Sequence, residues 1–138
     1  MEPIIFPNYT KLKNHMTNEI GYKPSYGAGI NHKIEMNTAV LKSVDNTEYY
    51  NDDLSDINKV KYTLYGSKGN QDENENKYNH RLLNITKHIY LYRVNYINTK
   101  KAIYYWYGKY EIEDKNTQVH PGKDGIPRTI IVLTLKRL

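Results

Sequence analysis

From Lys59 to Tyr65 the chain reads Lys-Val-Lys-Tyr-Thr-Leu-Tyr, with Val60, Tyr62 and Leu64 alternating against Lys59, Lys61 and Thr63. A period of two places one set of side chains on each face of a pleated strand, so this segment predicts a half-buried β-strand. Three further strand-like segments follow at His88–Asn95, Ala102–Ile112 and Arg128–Lys136, and a shorter one precedes them at Ala39–Ser43. Two stretches read as helices. Asn8–Ile20 has Asn8 or Thr10 as its cap and Gly21 as its stop. Tyr78–Lys87 has the length for about two and a half turns, with Leu82, Leu83 and Ile85 pointing inward. Two short helices among five or more strands predict an α+β fold, a strongly curled mixed sheet or small β-barrel with two or three short helices.

Turn chemistry marks the intervening loops. Pro24, Gly27 and Gly29 punctuate the segment before the first strand, and a glycine-bearing polar run follows Tyr65. The segment Lys115–Pro127 carries two Pro-Gly or Gly-x-Pro signals and reads as a loop between the last two strands. Asp45–Asp56 is acidic and has neither period, so it reads as an exposed loop. No repeat, linker or composition break divides the 138 residues, and a single domain spanning 1–138 is expected.

The absence of cysteine excludes disulfides and thiolate zinc sites. The N-terminus lacks the features of a signal peptide, and no run approaches the ~18 apolar residues of a membrane helix, so a soluble, intracellular protein without membrane association is expected. The net charge of +5 tilts the chain toward acidic partners such as nucleic acid. There are 15 tyrosines against one Phe and one Trp; tyrosine suits half-buried strands and stacking on bases alike, and a low-GC coding bias favours the same residue.

Catalytic signals are sparse. His32, His80, His88 and His120 are scattered without metal-ligand spacing, and no phosphate loop, dinucleotide fingerprint or Gly-x-Ser-x-Gly occurs. Glu113-Asp114-Lys115, with Asp52 or Asp53 upstream, has the residue types of a small metal-dependent nuclease site, although a solvated strand end explains it more simply. The expectation is no catalytic residue, no metal and no cofactor.

An ordered set of segments is more specific. These are Ser25-Tyr-Gly-Ala-Gly-Ile30, Ala39-Val-Leu-Lys-Ser43, Tyr62-Thr-Leu-Tyr-Gly-Ser-Lys-Gly-Asn-Gln71, Asn79-His-Arg-Leu-Leu83, Tyr105-Trp-Tyr-Gly-Lys-Tyr110, and Arg128 opening the last strand. Their order, spanning Gly21 to Lys136, resembles the SRA (YDG) family of modified-base readers, which have a PUA-like barrel. Two positions depart from the family pattern. Gly108 directly follows Tyr107, without the Asp of the Tyr-Asp-Gly signature. Gln71, with Asp72 beside it, stands where methylcytosine readers carry a base-reading Asp.

The resemblance implies binding of double-stranded DNA carrying a modified cytosine or similar base, with the base flipped into a pocket. The loop Tyr65–Asp72 would form that pocket. Tyr62 or Tyr65 would stack on the base, Gln71 would read its edge, and Gly66 and Gly69 would allow close backbone approach, with Ser67 and Asp72 alongside. Lys68, His80 and Arg81 would contact phosphates, with Tyr26, His32, Lys33 and Arg128 as further candidate DNA contacts. Cleavage would come from a separate nuclease or methylation-linked partner. Alternatives are the sulfur-binding domains of phosphorothioate-dependent restriction enzymes, RNA binding by a PUA-like barrel, and a metal-dependent nuclease built on Asp53, Glu113 and Lys115.

Overall fold

A computed structural model describes residues 2–24 and 29–138. In chain order the elements are β1 (Ile4–Phe6), α1 (Tyr9–Ile20), β2 (Ile30–Lys33), a single 3-10 turn (Ile34–Met36), β3 (Thr38–Val44), β4 (Lys59–Thr63), α2 (Lys77–Asn84), β5 (His88–Asn98), β6 (Lys101–Pro121) and β7 (Pro127–Arg137). The strands form one mixed sheet in the order β2-β3-β5-β6-β7-β4, with β1 also paired to β6. Among the described strands only β3 and β5 run parallel, and the connection between them contains β4 and α2. This is the strongly curled α+β sheet, a half-barrel with two α-helices, that the sequence pattern predicts.

The first helix forms where local chemistry places it. The Asn8 side chain accepts from the Lys11 N–H at 2.9 Å, which satisfies one of the orphan donors of the first turn. Gly21 ends the helix at φ +95°, and its N–H reaches back to the Thr17 carbonyl at 3.0 Å. Leu12 and Met16, four residues apart, are its buried face.

The central strands are covered on both faces. Ala39 and Leu41 of β3, with Ile89 and Leu91 of β5, face a core that includes Val60, Leu82 and Leu133. Val40, Tyr92 and Val94 face the opposite way, onto Leu12, Met16, Tyr104 and Trp106. The curl has a visible cause in β6. Leu91 pairs with Gly108 and Tyr92 with Trp106, leaving Tyr107 as an extra residue beside Gly108 at φ +90°. Such a bulge bends its strand and increases the local twist. Gly108 is therefore the residue whose backbone allows this bend.

Three local expectations differ from the structure. β6 runs on through residues that read as loop, and Asp114–Pro121 pairs with β7; this outer part of β6 is exposed apart from half-buried His120, while its β7 partners Arg128 and Ile130–Thr134 are buried. With no apolar face to set a period, its strand character rests on cross-strand hydrogen bonding. The second helix is Lys77–Asn84; Asn76 caps it, Leu82 is buried, and Ile85 is 42% exposed rather than inward. β4 ends at Thr63, although Leu64 remains buried. Among the described residues no helix is long and apolar enough to cross a membrane.

Candidate functional site

At the end of β4 the chain stops pairing, and the segment Asp45–Asp56 folds back across it. The contacts are nonlocal. Thr63 accepts from the Asn51 N–H at 2.8 Å, and its own N–H donates to Asp52 Oδ1 at 2.7 Å. The Ser43 hydroxyl donates to Asp52 Oδ2 at 2.7 Å. A cavity of about 260 Å³ opens between this segment, β3 and the β4 end. Tyr49, Tyr50 and Asp52 line one side, Tyr62–Tyr65 the other, and Gly29 with Lys42 and Val44 complete the wall. A second, more polar cavity shares Val44, Thr47, Tyr50 and Asp52 with it and extends toward Asp45 and Arg93.

Among the described residues Asp52 is the one carboxylate lining the first cavity. Burial raises its pKa above the usual carboxylate value, while the Thr63 N–H and the Ser43 hydroxyl oppose the shift by stabilising the charged form. Tyr49 and Tyr50 lie with ring centroids 4.8 Å apart. Tyr65 is 44% exposed and leans on Tyr78 at 5.2 Å. The tool for holding Tyr65 is Asn79, which is fully buried. Its side-chain oxygen accepts from the Tyr65 N–H at 2.8 Å, and its amide donates to the carbonyls of Tyr65 at 3.0 Å and Asp72 at 3.2 Å.

The sequence candidates divide into several groups. Tyr62 and Tyr65 line the cavity. Tyr62 is only 4% exposed, and its hydroxyl donates to the carbonyls of Gly29 and Lys42, so it is a core tyrosine that braces the wall. Gly66, Ser67, Lys68, Gly69, Gln71 and Asp72 form the adjoining loop without lining the cavity. Gln71 is committed elsewhere: Nε2 donates to the carbonyls of Leu64 at 2.6 Å and Gly66 at 3.0 Å, and Oε1 accepts from the Ile131 N–H at 2.8 Å. Both amide hydrogens are thereby spent on backbone. Asp72 caps the following turn by accepting from the N–H groups of Asn74 and Glu75, which hold its carboxyl below the usual range.

Arg128 is 3% exposed, which removes it as a direct contact for a duplex in this arrangement; its guanidinium donates to the carbonyls of Gly66, Gly69 and Tyr49. His32, Lys33 and Arg81 meet at a separate small hollow between β2 and α2, and His80 sits exposed on the same helix. Burial, aided by the Arg81 charge, lowers the His32 pKa to about 4, so His32 carries no charge near neutrality. Tyr26 lies outside the described residues. The nuclease trio is dispersed among other partners: Glu113 with Lys59 at 3.7 Å, Lys115 with Glu73 at 2.6 Å, and Asp53 with Ser55. Among the described residues no three His, Cys, Asp or Glu gather as a metal-holding group.

The residues missed from sequence are Lys42, Tyr49, Tyr50 and, as a pocket residue, Asp52. The last three stand in Tyr49-Tyr-Asn-Asp-Asp53, two rings next to acids within a segment that otherwise reads as solvated loop. That juxtaposition was the available signal.

No family model matches the sequence, and no curated protein does. Solved structures match across the fold. The sulfur binding domain and SRA domain of ScoMcrA, complexed with phosphorothioated DNA, give a TM-score of 0.61 at 15% identity, over 100% of this chain and 40% of that one. KRYPTONITE in complex with mCHH DNA, H3(1-15) peptide and SAH gives 0.63 at 20% identity, over 99% and 31%. The MspJI restriction endonuclease with a 27-mer oligonucleotide gives 0.65 at 17% identity, over 83% and 34%. The chain thus spans between 31% and 40% of the length of these three. The likeness is one of fold, and the fold is SRA-like.

Proposed function

We propose that this SRA-like chain binds double-stranded DNA carrying a modified base, and takes that base out of the stack into the cavity beside Asp52. The observation that carries the reading is the cavity itself, which joins flat tyrosine faces to one recessed carboxylate. A base extruded from a duplex needs stacking surfaces and hydrogen-bond partners for its Watson–Crick edge. An ionised Asp52 accepts, which matches the exocyclic amino donor of cytosine; a protonated Asp52 also donates, toward a ring nitrogen. Tyr49, Tyr50 and Tyr65 are the flat faces. Gln71 acts as a lock that shapes the wall, and the reading role expected for it passes to Asp52.

Lys68, Lys77 and Lys123 are exposed, and the Lys123 ammonium lies 5.9 Å from the ring centre of cavity-lining Tyr49; these lysines would meet phosphates of a docked duplex. The domain acts as a reader, and any cleavage or methylation belongs to another domain or chain. A DNA-reading role places it in a DNA-containing compartment.

The test is a panel of duplexes identical in sequence, carrying cytosine, 5-methylcytosine, 5-hydroxymethylcytosine or a phosphorothioate linkage, with an RNA duplex alongside. The reading expects preference for one modified base, weakened at least tenfold by Asp52→Ala, and brightening of a fluorescent purine beside that base. Equal affinity for all base variants overturns it; preference for the phosphorothioate or for RNA selects the corresponding alternative.

A further inference from the structure

We infer that Arg128 is the positioning residue that holds the two walls of the cavity together, by gripping both from beneath with one buried guanidinium. The inference rests on the base-pocket reading for its consequence, while its geometry stands independently. Three carbonyl oxygens converge on the group. Those of Gly66 and Gly69 belong to the loop after Tyr65, and that of Tyr49 belongs to the opposite wall, 79 residues away in sequence. Tyr49 and Tyr65 both line the cavity, so the Tyr49 grip is at a lining residue, the Gly66 grip is one residue from one and the Gly69 grip is four residues away.

The residue type fits the task. A guanidinium presents several N–H donors in a rigid fork, so one side chain binds separate carbonyls at fixed relative positions; a lysine ammonium is a flexible point charge. No carboxylate pairs with Arg128 among the described residues, and the carbonyl dipoles carry its compensation. A buried charge held this way is costly unless its hydrogen bonds are kept, which favours the closed arrangement of both walls. Its charge also reaches the cavity, where it opposes the upward shift that burial imposes on the Tyr50 hydroxyl.

The hairpin tip completes the grip. The Lys123 N–H donates to the Ser67 carbonyl at 2.7 Å, His120 Nε2 meets the Glu48 carbonyl at 2.7 Å, and the Lys123 ammonium lies 5.9 Å from the Tyr49 ring centre. Gly122 leaves no room to spare: an added Cβ would sit 3.0 Å from the Ser67 carbonyl oxygen and 3.2 Å from Arg128 Cδ. The outer part of β6, exposed along residues 113–119, is thereby tied through the hairpin tip to both walls.

The experiment compares the full chain with Arg128→Gln, Arg128→Lys and Gly122→Ala, by amide hydrogen exchange without DNA and by affinity for the preferred modified duplex and its plain counterpart. The inference expects Arg128→Gln to speed exchange at least tenfold in segments 47–51 and 65–70 together, with Ile89–Val94 unchanged. It also expects the modified-to-plain affinity ratio to fall at least fivefold while plain-duplex affinity stays within twofold. Arg128→Lys should leave at least one segment loosened. Should Arg128→Gln fail to fold, Gly122→Ala decides, with the same joint loosening at smaller amplitude. Loosening of one segment only, full function in Arg128→Lys, or equal loss on both duplexes overturns the clamp. If the unaltered chain shows no preference among duplexes, the base-pocket reading fails and the joint exchange result alone decides whether the clamp exists.

Discussion

Replacing Gln71 by alanine separates a residue that reads DNA from one that holds the fold. The side chain makes three hydrogen bonds, to Leu64 O at 2.6 Å, Gly66 O at 3.0 Å and Ile131 N at 2.8 Å, joining the end of β4 to β7 where their ladder has stopped. Each intramolecular hydrogen bond contributes about 1 kcal/mol net, and more where its partner is left dry. Gln71 is half-buried, so water replaces part of what is lost. The expected cost to folding is therefore about 2 kcal/mol. For a chain of this size that lowers the melting temperature by roughly 4–8 °C. Urea unfolding of both proteins measures it, with the midpoint shifted and the slope unchanged. Under conditions where Gln71→Ala remains folded, any loss of discrimination between modified and plain duplexes should accompany the loss of stability, because the side chain shapes the wall without touching the base. Stability within about 0.5 kcal/mol of the unaltered chain, combined with a tenfold loss confined to modified DNA, would refute this reasoning and return Gln71 to the role of base reader.

Three other outcomes follow from the same geometry. Asn79→Ala leaves the Tyr65 N–H and two carbonyls without their buried partner, so it should cost about 2–4 kcal/mol in urea unfolding; a loss under about 1 kcal/mol shows that the loop re-forms its bonds elsewhere. His32, with its pKa lowered from 6.5 to about 4, binds fewer protons folded than unfolded, so its contribution is present above pH 6.5 and lost as pH falls toward 4. His32→Phe should accordingly flatten the stability profile between those values, and an unchanged profile contradicts the assignment. Lys68→Ala should weaken modified and plain DNA alike and reduce the slope of log affinity against log salt by about 0.9; loss of discrimination without change in salt slope places Lys68 in the pocket instead.

The sequence by itself determined the elements whose causes are local. Asn8 and Gly21 bound α1 through contacts within one turn, alternation marks the strand at Lys59–Thr63, and apolar and aromatic runs mark β5, early β6 and β7, because each buries at least one face. The order of motif segments was likewise enough to anticipate an SRA-like α+β sheet, even with the signature Asp missing between Tyr107 and Gly108. Tertiary structure decided the site. Asp45–Asp56 shows no period, and its wall is placed by nonlocal contacts, among them Ser43 and Thr63, 9 and 11 residues from Asp52, which bind its carboxylate. Gln71 and Arg128 offer amide and guanidinium groups that suit a base or a phosphate in one dimension; in three, backbone carbonyls up to 79 residues away take them first. Residues 113–121 form a strand with neither face buried, which hydrophobic periodicity cannot report. Patterning encodes which face of an element leaves water, whereas the partner of a polar side chain is set by what the folded chain brings within hydrogen-bond reach.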